Sequence, residues 1–192
     1  MKYVVCLEDH LTMEISTITA PEHKHFYPGT LKIFLAGGIC NCPDWQKIVI
    51  EHIQNDVLSI ELSKDYKDIC LINPRRSDWV EEPDAAKKQI EWEFDMLECC
   101  DVFTMYFVGS ESDQPICMYE LGRNIERMKE KFPTTWEKRI IITCDKNYKR
   151  MNDVLIQTSL ATNDKVKVNL TNQDLFYHIK PIKEALKYIY NE

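Results

Sequence analysis

Five short apolar runs, each followed by a stretch with helical spacing, constrain this chain more than any other feature. Residues 32–36, 68–72, 101–108, 139–143 and, more weakly, 165–168 are rich in β-branched and aromatic side chains and have the length of buried strands. Between and after them, residues 43–58, 85–99, 115–131, 152–160 and 172–190 carry apolar residues at helical intervals, as Ile90, Phe94 and Leu97 do in the second. Such alternation favours parallel strands joined by right-handed crossovers. The expected fold is α/β, flavodoxin-like or Rossmann-like, with a five-stranded parallel sheet and helices on both faces. Pro43 and Pro115 suit first helical turns, and Pro133 stops the helix that ends at Lys131.

Residues 1–30 stand outside this repeat and read as an N-terminal extension to a domain spanning 31–192. Residues 2–7 can add an edge strand, and residues 20–29, rich in Pro and His, read as a connector. Lys and Arg number 24 against 31 Asp and Glu, a net charge of −7 with no basic run. That balance argues against nucleic acid or an anionic membrane as partner. No secretory leader and no apolar run long enough to span a bilayer are visible, so the protein is expected to be cytoplasmic. The eight cysteines lack paired C-x-x-C knuckles and read as reduced, small apolar residues. Cys40 and Cys42 with His23 or His25 make a weak zinc pattern, and no metal is expected.

Ligands of an open parallel sheet bind beyond the carboxyl ends of its strands, so the residues just after each run matter most. After the first run come Gly37 and Gly38, which permit close backbone approach but also suit a plain strand-to-helix turn. They form neither a G-x-G-x-x-G nor a P-loop pattern. After the second come Asn73, Pro74, Arg75, Arg76, Ser77, Asp78 and Trp79. Paired guanidiniums can grip a phosphate or carboxylate, or else pair with Glu81, Glu82 or Asp84. After the third, Glu120 and Gly122 fall in the next helix, with Glu120 close enough to its N-terminal end to be kept ionised. Glu91, Glu93 and Asp95 alternate along the preceding helix and therefore point in different directions.

Taken in order, the segments at 32–39 (KIFLAGGI), 72–79 (INPRRSDW), 89–97 (QIEWEFDML), 100–107 (CDVFTMYF), 114–122 (QPICMYELG) and 148–154 resemble the nucleoside 2-deoxyribosyltransferase-like family. The likeness covers roughly residues 32–157 and rests on the joint order of its motifs. It implies a flavodoxin-like fold and cleavage of the N-glycosidic bond of nucleosides or nucleotides. The glutamate of the ELG segment, here Glu120, corresponds to the family's nucleophile. A carboxylate suits that role because it both stabilises oxocarbenium charge and forms a reversible covalent bond. The family's proton-handling aspartate, eight residues before the acid of the next strand, corresponds to Glu93 counted back from Asp101.

Two positions depart from the family pattern. Phe34 stands where a tyrosine hydroxyl orients the nucleophile, and Gln114 stands at a sugar-binding position occupied by Asp or Ser elsewhere. The resemblance further implies a pocket shaped by Phe34, Gly37, Gly38, Asn73, Arg75, Arg76 and Gln114, with no metal or organic cofactor. The arginine pair, joined by Ser110 and Ser112, would then take a 5′-phosphate. A homodimer or larger homo-oligomer is implied, to which Tyr177, Tyr188 and Tyr190 can contribute. Two other readings stay open: a non-catalytic nucleotide-binding protein, and a glycohydrolase for NAD or a cyclic nucleotide.

Overall fold

The computed structural model describes residues 3–5, 13–23, 25–56, 67–76 and 83–190. Cys6, Ser77, Asp78, Trp79, Glu81 and Glu82 lie outside them. Seven strands form one sheet: β1 (Tyr3–Val5), β2 (Met13–Thr19), β3 (Thr30–Gly37), β4 (Asp68–Asn73), β5 (Val102–Phe107), β6 (Ile140–Asp145) and β7 (Val168–Thr171). Their order across the sheet is β1-β2-β4-β3-β5-β6-β7. Strands β2 to β7 are mutually parallel, and only β1 runs antiparallel, against β2. The five expected strands supply β3 to β7.

The sheet is therefore larger than the five strands expected from the sequence, because β2 escapes the apolar pattern. In its MEISTIT run the isoleucines sit three apart, so they fall on opposite faces. Ile15 enters the core under one face and Ile18 the core under the other. Residues 20–29 then link β2 to β3, fastened by the Ala20 N–H on the Asn73 carbonyl and the Trp92 indole on the Glu22 carbonyl.

Five helices follow the parallel strands: α1 (Trp45–Asn55), α2 (Ala85–Cys99), α3 (Pro115–Lys131), α4 (Met151–Thr162) and α5 (Phe176–Tyr190). Two apolar cores lie on opposite faces of the sheet. One packs β3, β5 and β6 against α2, α3 and α4, and the other packs the reverse side against α1 and α5. Burial on both faces is why the central strands read as continuous apolar runs.

Local chemistry sets the helix ends. The Asp44 carboxylate caps α1 by accepting from the Lys47 N–H at 3.2 Å, so Pro43 precedes the cap instead of lying in the first turn. Pro115 does occupy the first turn of α3. In α2 the buried positions are Ala85, Trp92, Met96 and Leu97, while Ile90 and Phe94 are exposed. The apolar spacing of Ile90, Phe94 and Leu97 marks a helix correctly but assigns its buried face wrongly. Among the described residues no helix is long and apolar enough to cross a membrane.

Chain direction reverses between β3 and its neighbour β5. From β3 the chain crosses to β4 on one side, then returns past β3 to β5 on the other. That reversal opens a crevice at the carboxyl ends of β3 and β5.

Candidate active site

The crevice holds a cleft of about 240 Å³. Its floor is Phe34 and Ala36 of β3, and one wall is the turn from Gly37 to Cys40. The start of α3 supplies Gln114, Cys117 and Glu120, and α2 supplies Glu93. Phe34, Gly37, Gly38, Glu93, Gln114 and Glu120, all singled out in the sequence, thus meet in one place together with Ser112.

Both glycines are required by packing. A Cβ on Gly37, whose φ is +148°, would lie 2.4 Å from the Tyr106 carbonyl, and one on Gly38 would lie 2.5 Å from Gln114 Oε1. The turn is thereby pressed onto the end of β5, where the Gly38 N–H donates to the Tyr106 carbonyl at 3.2 Å. Gln114 sits in a left-handed conformation, φ 46°, at the head of α3. Its amide pairs with the Val108 backbone, accepting from the N–H at 3.2 Å and donating to the carbonyl at 2.7 Å. It braces the loop after β5 across the head of α3.

The two carboxyl groups are held differently. Glu93 Oε1 accepts from Gln89 Nε2 at 2.7 Å, and the same amide donates to the Pro74 carbonyl at 2.8 Å. Gln89 therefore ties Glu93 to the end of β4. Burial still raises the Glu93 pKa above its ordinary value, with the Gln89 bond opposing the shift. Glu120 has no such partner: its carboxylate makes no hydrogen bond among the described residues, and Phe34 below it has no hydroxyl to offer. Burial, reinforced by the neighbouring Glu93 charge and only partly offset by Arg123, pushes Glu120 up to about 8. This corrects the expectation that the helix end keeps Glu120 ionised. It lies more than a turn inside α3, where the dipole has faded.

Asn73, Arg75 and Arg76 do not join the cleft. They border a separate groove of about 380 Å³ with Thr17, Thr19 and α1. Asn73 Oδ1 accepts the Arg75 backbone N–H at 3.0 Å. The Arg75 guanidinium is engaged by the Gln46 side chain and by the Gly38, Cys42 and Pro43 carbonyls of the turn. Of the loop serines, Ser112 lines the cleft, whereas Ser110 Oγ lies 3.3 Å from Cys42 Sγ and links the loops after β3 and β5.

A model of the family described as nucleoside 2-deoxyribosyltransferase like matches residues 30–144, more than half of the sequence. The chain belongs to the nucleoside 2-deoxyribosyltransferase-like family. No curated protein gives a significant match. The segment matched to this family begins at β3 and ends in β6, so it includes every residue lining the cleft but neither β1 nor β2.

Sequence reasoning missed Gln89, although its spacing of four residues from Glu93 on one helix is the signal that would have found it. It also missed the latch on the loop before α3. There the Tyr148 hydroxyl donates to the Asp113 carbonyl at 2.7 Å, and Lys149 pairs with the Asp113 carboxylate at 2.6 Å. Among the described residues no cluster of His, Cys, Asp and Glu is placed to hold a metal ion.

Proposed function

We propose that this protein breaks the N-glycosidic bond of a nucleoside, with Glu120 as nucleophile and Glu93 as proton donor and acceptor. The observation that carries this reading is the placement of both carboxyl groups on one cleft at the topological switch point. Two carboxyl groups in one poorly hydrated cleft do not both ionise readily, so near neutral pH the pair retains a proton. The reaction needs that state: one carboxylate to attack and one carboxylic acid to protonate the leaving base. Burial and the neighbouring Glu93 charge both favour the neutral form of Glu120. Positive charge developing at the sugar draws the negative charge onto Glu120 and leaves the proton with Glu93.

Glu120 then attacks C1′, the C1′–N bond breaks, and its electron pair departs on the base, which takes the proton from Glu93. In the second half a free base or water attacks C1′ and gives a proton to Glu93 as the Glu120–sugar bond breaks. A base acceptor makes the protein a transferase and water makes it a hydrolase. The described lining contains two carboxyl groups and no Lys or Arg, which favours an uncharged nucleoside over a 5′-monophosphate. An apolar patch of Ile90, Phe94, Ile116 and Tyr119, each at least half exposed, flanks the cleft and supports association of copies of the chain.

The test is chromatographic detection of free base after incubating wild-type and Glu120→Gln protein with ribo- and deoxynucleosides and their 5′-monophosphates. Each is run with and without a second base. Release by wild type alone supports the reading, and base exchange selects transfer over hydrolysis. One observation favours a second reading, a nucleotide-binding protein without turnover: among the described residues no hydrogen bond stabilises the charged form of Glu120. Ligand-raised melting temperature with no base released by either protein would establish that reading instead.

A further inference from the structure

We propose that Arg75 is a positioning residue that sets the wall of the carboxylate cleft by holding the turn after β3 in place, an inference that rests on the glycosidic reading of that cleft. Arg75 is absent from the lining of the cleft and borders the neighbouring groove instead. Nε donates to Gln46 Oε1 at 3.0 Å, one terminal nitrogen to the Cys42 carbonyl at 3.3 Å, and the other to the Gly38 and Pro43 carbonyls at 3.2 and 3.0 Å. These four bonds use four of the five N–H groups a guanidinium has. Asp44, 3.5 Å from Nε, adds charge pairing. The Arg75 side chain is only 16% exposed.

Three carbonyls of one short turn therefore converge on a single cation, and the turn cannot unfold without losing several of these bonds together. The Gly38 carbonyl also accepts from the Trp45 indole at 3.0 Å, so both of its lone pairs are taken. Across a trans peptide the N–H of the next residue points opposite to the carbonyl. Fixing the Gly38 carbonyl against Arg75 and Trp45 thus turns the Ile39 N–H away from them, and Gly38, Ile39 and Cys40 present their other side to the cleft. Arg75 reaches forward from the end of β4 to a loop that follows β3. It makes the width of the cleft depend on the register of two neighbouring strands.

Lysine cannot replace this arrangement. Its ammonium donates from a single atom and does not reproduce the planar fork that serves acceptors on several sides. The role therefore predicts that keeping the charge while losing the fork fails.

The test uses Arg75→Met and Arg75→Lys in the full chain, with iodoacetamide labelling located by peptide mass spectrometry. Cys40 and Cys42 lie in the held turn, whereas Cys70, Cys100 and Cys144 are buried elsewhere in the core. Both variants are expected to label Cys42 at least about tenfold faster than wild type, as local opening becomes easier, while the three core cysteines stay unlabelled. In the base-release assay kcat/KM is expected to fall by about tenfold or more, mostly in kcat, because a small misplacement of the sugar against Glu120 slows attack. Unchanged Cys42 labelling in Arg75→Met overturns the proposal. So does wild-type labelling in Arg75→Lys, which would make charge alone sufficient, or equal labelling of the core cysteines, which would make Arg75 a support of the whole fold. If wild type releases no base, the glycosidic reading fails while the labelling still decides the role of Arg75.

Discussion

At the carboxyl end of the sheet, the turn from Gly37 to Gly38 separates two regions built from similar materials. On one side lies the open cleft with Glu93 and Glu120. On the other, Trp45, Tyr106 and His178 are buried against one another: His178 stacks on Tyr106 with ring centroids 5.4 Å apart, and Trp45 meets both edge-on. Each region holds titratable groups, and in each burial favours the neutral form. Glu120 is pushed up to about 8, and His178, fully buried with Nδ1 2.9 Å from Thr143 Oγ1, is pushed down to about 3. What distinguishes them is access. The closed region spends its neutrality on packing, whereas in the open region a neutral acid stands beside a potential carboxylate at the edge of a cavity.

The sharpest way to break this comparison is Glu120→Gln, which leaves shape and removes the nucleophile. Base release is expected to fall by roughly 10⁴-fold or more, and discontinuous chromatography measures it directly. If Glu120→Gln and wild type release base at equal rates, the open region is no more reactive than the closed one. Glu93→Gln is expected to lower kcat by about 10²- to 10³-fold, the range of a lost general acid. That loss should shrink for substrates whose base leaves without protonation.

Gln89→Leu tests whether the hydrogen bond to Glu93 matters. Removing the hydrogen bond that opposes burial raises the Glu93 pKa further, so the acidic limb of the pH–rate profile moves to higher pH, with kcat/KM down about tenfold. Wild-type pH dependence in this variant would show that Gln89 serves α2 alone.

The smallest effects concern stability, and there the two regions should oppose each other. Glu120 binds its proton more tightly folded than unfolded, so its contribution is complete below pH 4.5 and is lost as pH rises towards about 8. Denaturant titrations should show Glu120→Gln more stable than wild type at pH 9 by roughly 1–3 kcal/mol. His178 behaves inversely. Its folded pKa is depressed, so the unfolded chain takes up a proton that the folded one refuses, and stability falls as pH drops from 6.5 towards about 3. His178→Leu should flatten that acid limb by up to about 1.4 kcal/mol per pH unit. Parallel stability curves for wild type and both variants would remove burial as the common cause.

Much of this architecture was legible in the sequence where one local signal had one structural solution. The α2 and α3 boundaries are 85–99 and 115–131, as the spacing predicts, because Pro115 and Pro133 bracket α3 and the apolar period in α2 is long. That Gly37, Gly38 and Glu120 border one crevice follows from strand-end placement once the alternation is recognised, whereas Glu93, in the middle of α2, is singled out only by the family resemblance. Illegible were features that depend on which way a side chain turns in three dimensions. Arg75 is adjacent to the right strand end, yet three carbonyls of the neighbouring turn and the Gln46 side chain of α1 hold its guanidinium outside the lining of the cleft. Ile90 and Phe94 have the spacing of a core stripe, but the sheet lies under Trp92, Met96 and Leu97. β2 contributes one isoleucine to each core, so it shows neither an alternating nor a continuous apolar pattern.

The position of β4 has a consequence for assembly. It pairs with β2 on one side and β3 on the other, although both precede it in the chain. The contact between Thr30 and Asp68 spans fewer residues than that between Glu14 and Asp68, so closing the β3 side loses less chain entropy. Without β2, the backbone groups from Asp68 to Asn73 would form an open, apolar sheet edge able to pair with another chain. In the folded protein β2 covers that edge and β1 extends the sheet beyond it, independently of any chemistry in the cleft.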